Sequence, residues 1–174
     1  GVNAGSRIAR AQGLNYILLM NSDAYFEKGG LMKILKLTDK YNFVQPMVKT
    51  NSSPTSLFGY YDKTLGLNYS TRRKNCFRYS SGCCLLINVK KLQDDVFDED
   101  FFFYGEDVEL AFRAASLGLE AVECCEAYIF HEGSGSSKRG SLFYEYHINR
   151  CHWMTAKKFA NSAIQRYVFY IIRL

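Results

Sequence analysis

The chain has 174 residues, 48 % of them hydrophobic and 16 % aromatic, with 13 Tyr, 13 Phe and a formal net charge of +5. That is enough apolar material for one domain with a proper core, and it excludes a disordered chain. The mildly positive balance suits a phosphate-bearing ligand or an anionic membrane surface. It is too weak for nucleic acid, and no nucleic-acid module surrounds the short basic runs at 72–74, 90–91, 138–139 and 157–158.

In chain order, "SRIARAQGL" reads as the end of a helix closed by Gly13. "NYILLMNSDAYF" reads as a short apolar strand, Tyr16 to Met20, running into the polar Asn21–Ser22–Asp23. A strand that feeds an acidic turn puts polar groups at the carboxyl end of a sheet. "GGLMKILKLTDKY" predicts a helix with Leu31, Ile34 and Leu35 at apolar positions. "NFVQPMVKT" predicts a strand, with Pro46 favouring an edge or an irregularity because Pro has no N–H for the ladder.

Residues 51–79 are polar, show little periodicity, and read as a long excursion with short strands at most. "SGCCLLINVKKL" predicts a buried strand, then a short helix or turn. "VFDEDFFFYG" is an irregular aromatic segment. "EDVELAFRAASLGL" predicts a helix with Val108, Ala111, Phe112 and Ala115 on one face and Gly118 as its stop. "EAVECCEAYIFHEG" predicts a strand ending at His131, and "SGSSKRGS" a basic Gly/Ser loop. Residues 142–174 read as mainly helical. This alternation of helices and apolar strands defines an α/β class with a mostly parallel or mixed sheet.

The six cysteines, at 76, 83, 84, 124, 125 and 151, show no C-x-x-C spacing, which argues against a structural zinc site. The adjacent pairs Cys83–Cys84 and Cys124–Cys125 lie in apolar runs and read as small reduced core residues, which favours a reducing compartment. No signal peptide and no membrane-spanning apolar run is evident in the sequence. The chain begins at Gly1 without Met, as a processed product or a piece of something longer would.

Four places carry candidate chemistry, each with a plainer reading beside it. Asp23, just after a buried strand, can hold a divalent cation through oxygen, or the segment can be a capped turn. Eight of the 17 acids lie between Asp94 and Glu109. Among them Glu106–Asp107 can be ordinary helix-start carboxylates or can supply a general base beside an aromatic wall. His131 can be a half-buried strand-end histidine or a second metal ligand beside Asp23. The loop holding Lys138 and Arg139 can be solvated or can close on phosphates. His147 and His152 flank Cys151 on a predicted helix and read as packing residues.

Taken together, "YILLMNSDAYF", "SSGCCLLINVKKL", "FDEDFFFYGEDVELAFRAASLG" and "AYIFHEGSGSS" resemble, in that order, the inverting glycosyltransferase family 2, and most closely its rhamnosyltransferase-like bacterial members. The resemblance covers about residues 1–150. It implies a GT-A fold, a Rossmann-like sheet flanked by helices over residues 1–141, partial at its amino terminus. Residues 142–174 would be a helical segment packed on that unit or peripheral to it.

By position, the resemblance implies Asp107 as catalytic base, and Asp23 with His131 as ligands of Mg²⁺ or Mn²⁺. It implies donor contacts from Asn3, Gly5, Asn21, Ser22, Lys138 and Arg139, and acceptor contacts from Ser81, Gly82 and Glu106. Asn21 stands where stricter versions of the motif carry Asp, so its grip on a metal would be weaker. The implied partners are a nucleotide-sugar donor and a glycan or lipid-linked acceptor, with no nucleic acid. A homo-oligomer and a peripheral membrane contact through residues 142–174 are further expectations. The expected place is the cytoplasm, at the inner face of the cell membrane. The mechanism expects Asp23, Asp107 and His131 in one pocket. The alternative is a truncated or degenerate module that binds a carbohydrate or a partner without chemistry.

Overall fold

The computed structural model describes residues 1–49, 54–92, 95–131 and 140–172. In chain order they form α1 (Val2–Ala11), β1 (Tyr16–Met20), β2 (Ala24–Phe26), α2 (Gly30–Leu35), β3 (Phe43–Val48), β4 (Phe58–Asp62), β5 (Asn68–Tyr69) and β6 (Cys76–Ser80). Then follow β7 (Cys84–Asn88), α3 (Glu106–Ser116), β8 (Ala121–His131), α4 (Leu142–Phe159) and α5 (Ala163–Ile171). The class is α/β with a mixed sheet. Five strands run in the order β1-β7-β3-β8-β2, and a second, three-stranded sheet has the order β5-β4-β6.

In the larger sheet only β3 and β8 are parallel; β1–β7, β7–β3 and β8–β2 are antiparallel. Of the two expected arrangements, mostly parallel or mixed, the sheet is the mixed one. Two of the antiparallel pairs are made by β7, which runs opposite to both its neighbours, and the third by the edge strand β2.

The run "CLLIN" is buried along its length because β7 lies between β1 and β3 with both faces covered. Its period of two still sorts the side chains. Leu85 and Ile87 pack with Phe43, Leu110 and Ala114 toward α3. Leu86 packs with Val44, Cys124 and Ile34 toward α2. The result is a three-layer helix–sheet–helix core, in which each such buried Leu or Ile contributes about 1.5–3 kcal/mol.

Pro46 sits in a central strand, not an edge, yet at an irregularity as expected. The β3–β8 register jumps there, from Pro46 opposite Cys124 to Met47 opposite Tyr128. Proline offers no N–H, so β8 bulges past it. The bulge's Glu126 carbonyl accepts from Lys33 Nζ at 2.6 Å.

Residues 51–79 hold more structure than their composition announced. Their described part builds β4, β5 and most of β6, and a third core forms where Tyr61 and Phe77 meet Val108, Ala156, Phe159 and Phe169. Thus α4 and α5 are packed on the domain through their inner faces. Gly59 permits the fit of the small sheet, since a Cβ there would overlap the ring of its cross-strand partner Tyr79.

Candidate functional site

Two acidic clusters stand out, each built where an element meets a turn. In the first, β1 ends at Met20 and the chain turns through Asn21–Asp23. The turn is held by Asn21 N–H donating to Cys83 O at 2.9 Å and Ala24 N–H donating to Asn21 O at 3.1 Å. Ala24 then opens β2 directly opposite His131, the last residue of β8. That pairing brings Asp23 against the histidine. Asp23 Oδ1 lies 3.2 Å from His131 Nε2, and the Asn21 amide nitrogen lies 3.4 Å from the same atom, across 110 residues of sequence. Both side chains are partly open, Asp23 by 34 % and His131 by 22 %. The floor is apolar: Ala24, Cys83, Cys84 and Ile129.

Nε2 of His131 therefore faces a potential donor, the Asn21 amide, and an acceptor, the Asp23 carboxylate. One ring nitrogen cannot accept from the first and donate to the second at once. A neutral imidazole whose lone pair points here would aim two Lewis bases, carboxylate and imidazole, at a common point. Cis donors on an octahedral ion are roughly 3 Å apart, which the 3.2 Å separation fits. An oxygen–imidazole pair suits Mn²⁺ better than Mg²⁺, which prefers oxygen throughout. Among the described residues no group of three His, Cys, Asp or Glu could hold a metal, so oxygens from outside the protein would have to complete the shell.

The second cluster opens α3. Tyr104 and Gly105 both have positive φ, 64° and 85°, and swing the aromatic segment into the helix. Gly105 is doubly required, because a Cβ there would strike Cys151 Sγ and would sit in strained backbone. Glu106 follows with Oε2 buried and without a hydrogen-bond partner among the described residues. Burial raises its carboxyl above the ordinary glutamate range, against its own backbone N–H.

Asp107, half-buried, accepts from Val108 N–H at 2.8 Å. Burial pushes its carboxyl up to about 7 and the neighbouring Glu106 charge adds to the rise, while the N–H groups of Val108 and Asp107 oppose it. Desolvation thus outweighs the helix-start donors. Tyr79 belongs to the same corner: burial first, then the Asp107 charge and Cys151, push its phenol up to about 12. It stays a hydrogen-bond donor at neutral pH.

A cavity of about 550 Å³ runs along α3 from Asp107 and Ser80, past Phe77 and Leu110, to Lys40 and Ala121. Neither Asp23 nor His131 lines it. The three expected residues therefore do not share this cavity; two meet, and the third opens onto a different space. The β6–β7 turn lies between the clusters. Ser80 borders the cavity, Cys83 O holds the Asn21 turn, and Ser81–Gly82 lie between. Gly82 is open to added bulk, with only Leu19 within reach of a Cβ, at 3.8 Å.

The remaining expected residues divide. Ser22 is exposed in the Asn21–Asp23 turn. Asn3 is occupied structurally: its Nδ2 donates to Phe97 O at 2.8 Å and its Oδ1 accepts from Phe97 N–H at 2.9 Å. Gly5 lies within α1 with open space around it. Lys138 and Arg139 lie outside the described residues.

The sequence reading missed Tyr79 and the Glu109–Arg113 pair. Glu109 is buried, and Arg113 grips it while donating to Asp95 O at 3.0 Å and Val96 O at 2.8 Å. The i,i+4 spacing on a predicted helix was the available signal. Burial pushes the Cys83 thiol up to about 11 and the Cys84 thiol up to about 12, so neither is a nucleophile at neutral pH. No protein-family model matches the chain, and no curated protein does either.

Proposed function

We propose that the chain serves inverting glycosyl transfer from a nucleotide-diphosphate sugar to an acceptor hydroxyl, on a GT-A-type scaffold. The observation that carries this reading is the meeting of Asp23 and His131 at adjoining strand ends, at 3.2 Å. Asp23 and His131 would hold a divalent cation. When bound, that ion supplies positive charge for the leaving diphosphate.

Asp107 takes the proton from the acceptor oxygen. That oxygen forms its bond to the anomeric carbon from the face opposite the diphosphate, which departs with the electron pair of the broken C–O bond. A carboxyl near 7 suits this task, being ionised for much of the time at neutral pH yet basic enough to hold the proton. Glu106, with a buried unpartnered oxygen, offers an acceptor for a second hydroxyl. The sugar would lie over Ser81–Gly82, the segment between the two clusters.

One observation favours the second reading, a carbohydrate- or partner-binding module without chemistry: the cavity at Asp107 contains neither Asp23 nor His131. A panel of nucleotide sugars, with and without Mn²⁺, separates the two. Transfer requires sugar release or acceptor modification that rises with pH through about 7, as Asp107 ionises. In the Asp107→Asn variant turnover should fall about 10²–10⁴-fold with folding retained. Turnover that survives this substitution removes Asp107 from the role. Ligand-induced stabilisation without any turnover in the unaltered protein supports the module.

A further inference from the structure

The helix α5 presents two unlike faces. Its inner face is fastened. Phe169 is buried in the core with Tyr61 and Phe159, Gln165 Nε2 donates to Lys63 O at 2.6 Å, and Tyr170 meets the Trp153 ring at 4.3 Å. The outer face carries Ile164, Tyr167, Val168, Ile171 and Ile172, at the i, i+3, i+4, i+7, i+8 spacing of one helix side. All five are exposed, from 36 % at Val168 to 79 % at Ile164. A helix side with that spacing is expected to be covered, and here nothing among the described residues covers it.

We propose that this face of α5 docks on an anionic lipid surface. The charge pattern selects the occupant. No acid follows Glu145 to the end of the chain, whereas Lys157, Arg166 and Arg173 all lie in that stretch; Arg150 and Lys158 lie there too but are turned inward, to Asp100 O and to the Asp98 carboxylate. A second copy of this face would bring like charges together. A bilayer rich in anionic headgroups attracts them, and each cation near such a surface contributes about 1 kcal/mol. Among the described residues no helix is long and apolar enough to cross a membrane. Nine residues of helix span about 14 Å, so α5 would lie in the interface plane with Ile and Val among acyl chains and Tyr167 at headgroup level. The inner-face contacts need not break for this, because the stripe already points outward. The docking face is independent of the glycosyl-transfer reading, and either can fail alone.

The test is co-sedimentation of the full chain with phosphatidylcholine vesicles, and with vesicles in which phosphatidylglycerol replaces about a third of the lipid. Binding is expected on the anionic vesicles, weaker on the neutral ones and weakened by salt. The double variant Tyr167→Asp/Ile171→Asp should lose at least about tenfold in partitioning, with an unchanged thermal melt because both side chains are outside the core. The milder pair Ile164→Gln/Ile171→Gln should lose less and serves if the first variant misfolds. Absence of binding to anionic vesicles overturns the proposal, as does binding that both variants leave intact. Sedimentation velocity that shows a dimer dissolved by the same substitutions, without vesicle binding, assigns the face to a second copy instead.

Discussion

The Asp23–His131 pair and the Glu106–Asp107 pair both sit where a regular element meets a turn, yet different forces hold them. The first depends on the sheet. Asp23 reaches His131 only because Ala24 pairs with His131 and Asn21 N–H is tied to Cys83 O, so contacts distant in sequence create it. The second is local. Two successive left-handed residues, Tyr104 and Gly105, aim the carboxylates, and the packing of Gly105 on Cys151 of α4 fixes the angle. Their environments differ accordingly. The strand-end pair faces open space and is suited to a hydrated ion. The helix-start pair is desolvated, with burial raising both carboxyls. A catalytic division of labour between charge stabilisation and proton transfer needs that kind of contrast.

The largest disruption should come from Gly105→Val, which puts a branched side chain into positive φ and against Cys151. A loss of about 3 kcal/mol or more in urea unfolding is expected. The Mn²⁺-induced thermal shift should persist in whatever fraction folds, since it reports the other cluster. Its disappearance would show the two clusters are not built independently.

Asp107→Asn comes next, and here stability should move opposite to activity. The folded carboxyl, at about 7, lies above its unfolded value near 3.8. Its contribution is therefore fully present below pH 4 and is lost as pH rises through about 7. Above that, the charged form costs stability, so the amide should raise ΔG of unfolding by roughly 1–3 kcal/mol at about pH 8, with no gain at about pH 4. Equal effects at both pH values would mean that the carboxyl is not desolvated.

His131→Ala follows. It should weaken Mn²⁺ binding by about tenfold or more, read by thermal shift, and leave the pH dependence of unfolding assigned to Asp107 unchanged. The gentlest change is Gly82→Ala, whose Cβ meets only Leu19 at ordinary contact distance. Stability should move by less than about 0.5 kcal/mol. Donor or acceptor turnover should fall, because the segment between the clusters narrows.

Much of the architecture was readable because burial writes periodicity into the chain. "CLLIN" and "YILLM" declared strands, and "EDVELAFRAAS" declared α3 with its stop at Gly118, which indeed has φ 67°. The Asp23–His131 meeting was anticipated because each residue closes an apolar strand, and the resemblance pointed the same way; no local spacing rule joins residues so far apart. The small sheet was not legible. Its strands are short, rich in Tyr and polar residues, and they gain their burial from α3, α4 and α5, which arrive later in the chain. Pro46 announced an edge or an irregularity, and the irregularity is what forms, as a bulge in the partner strand. Tyr79 escaped notice because its role depends on a glycine across the strand pair. The separation of the Asp107 cavity from His131 is likewise a matter of three-dimensional placement that side-chain type does not encode.

The register jump beside Pro46 has a mechanical outcome. With the ladder interrupted between Cys124 and Tyr128, β8 is zipped to β3 in two short lengths. One, at residues 121–124, borders the α3 cavity; the other, at residues 128–129, leads on to the strand-end histidine, which pairs with β2. Amide hydrogen exchange would see two protected stretches with a fast-exchanging seam between them. The seam divides the longest strand among the described residues into one length beside the α3 cavity and one beside the histidine end.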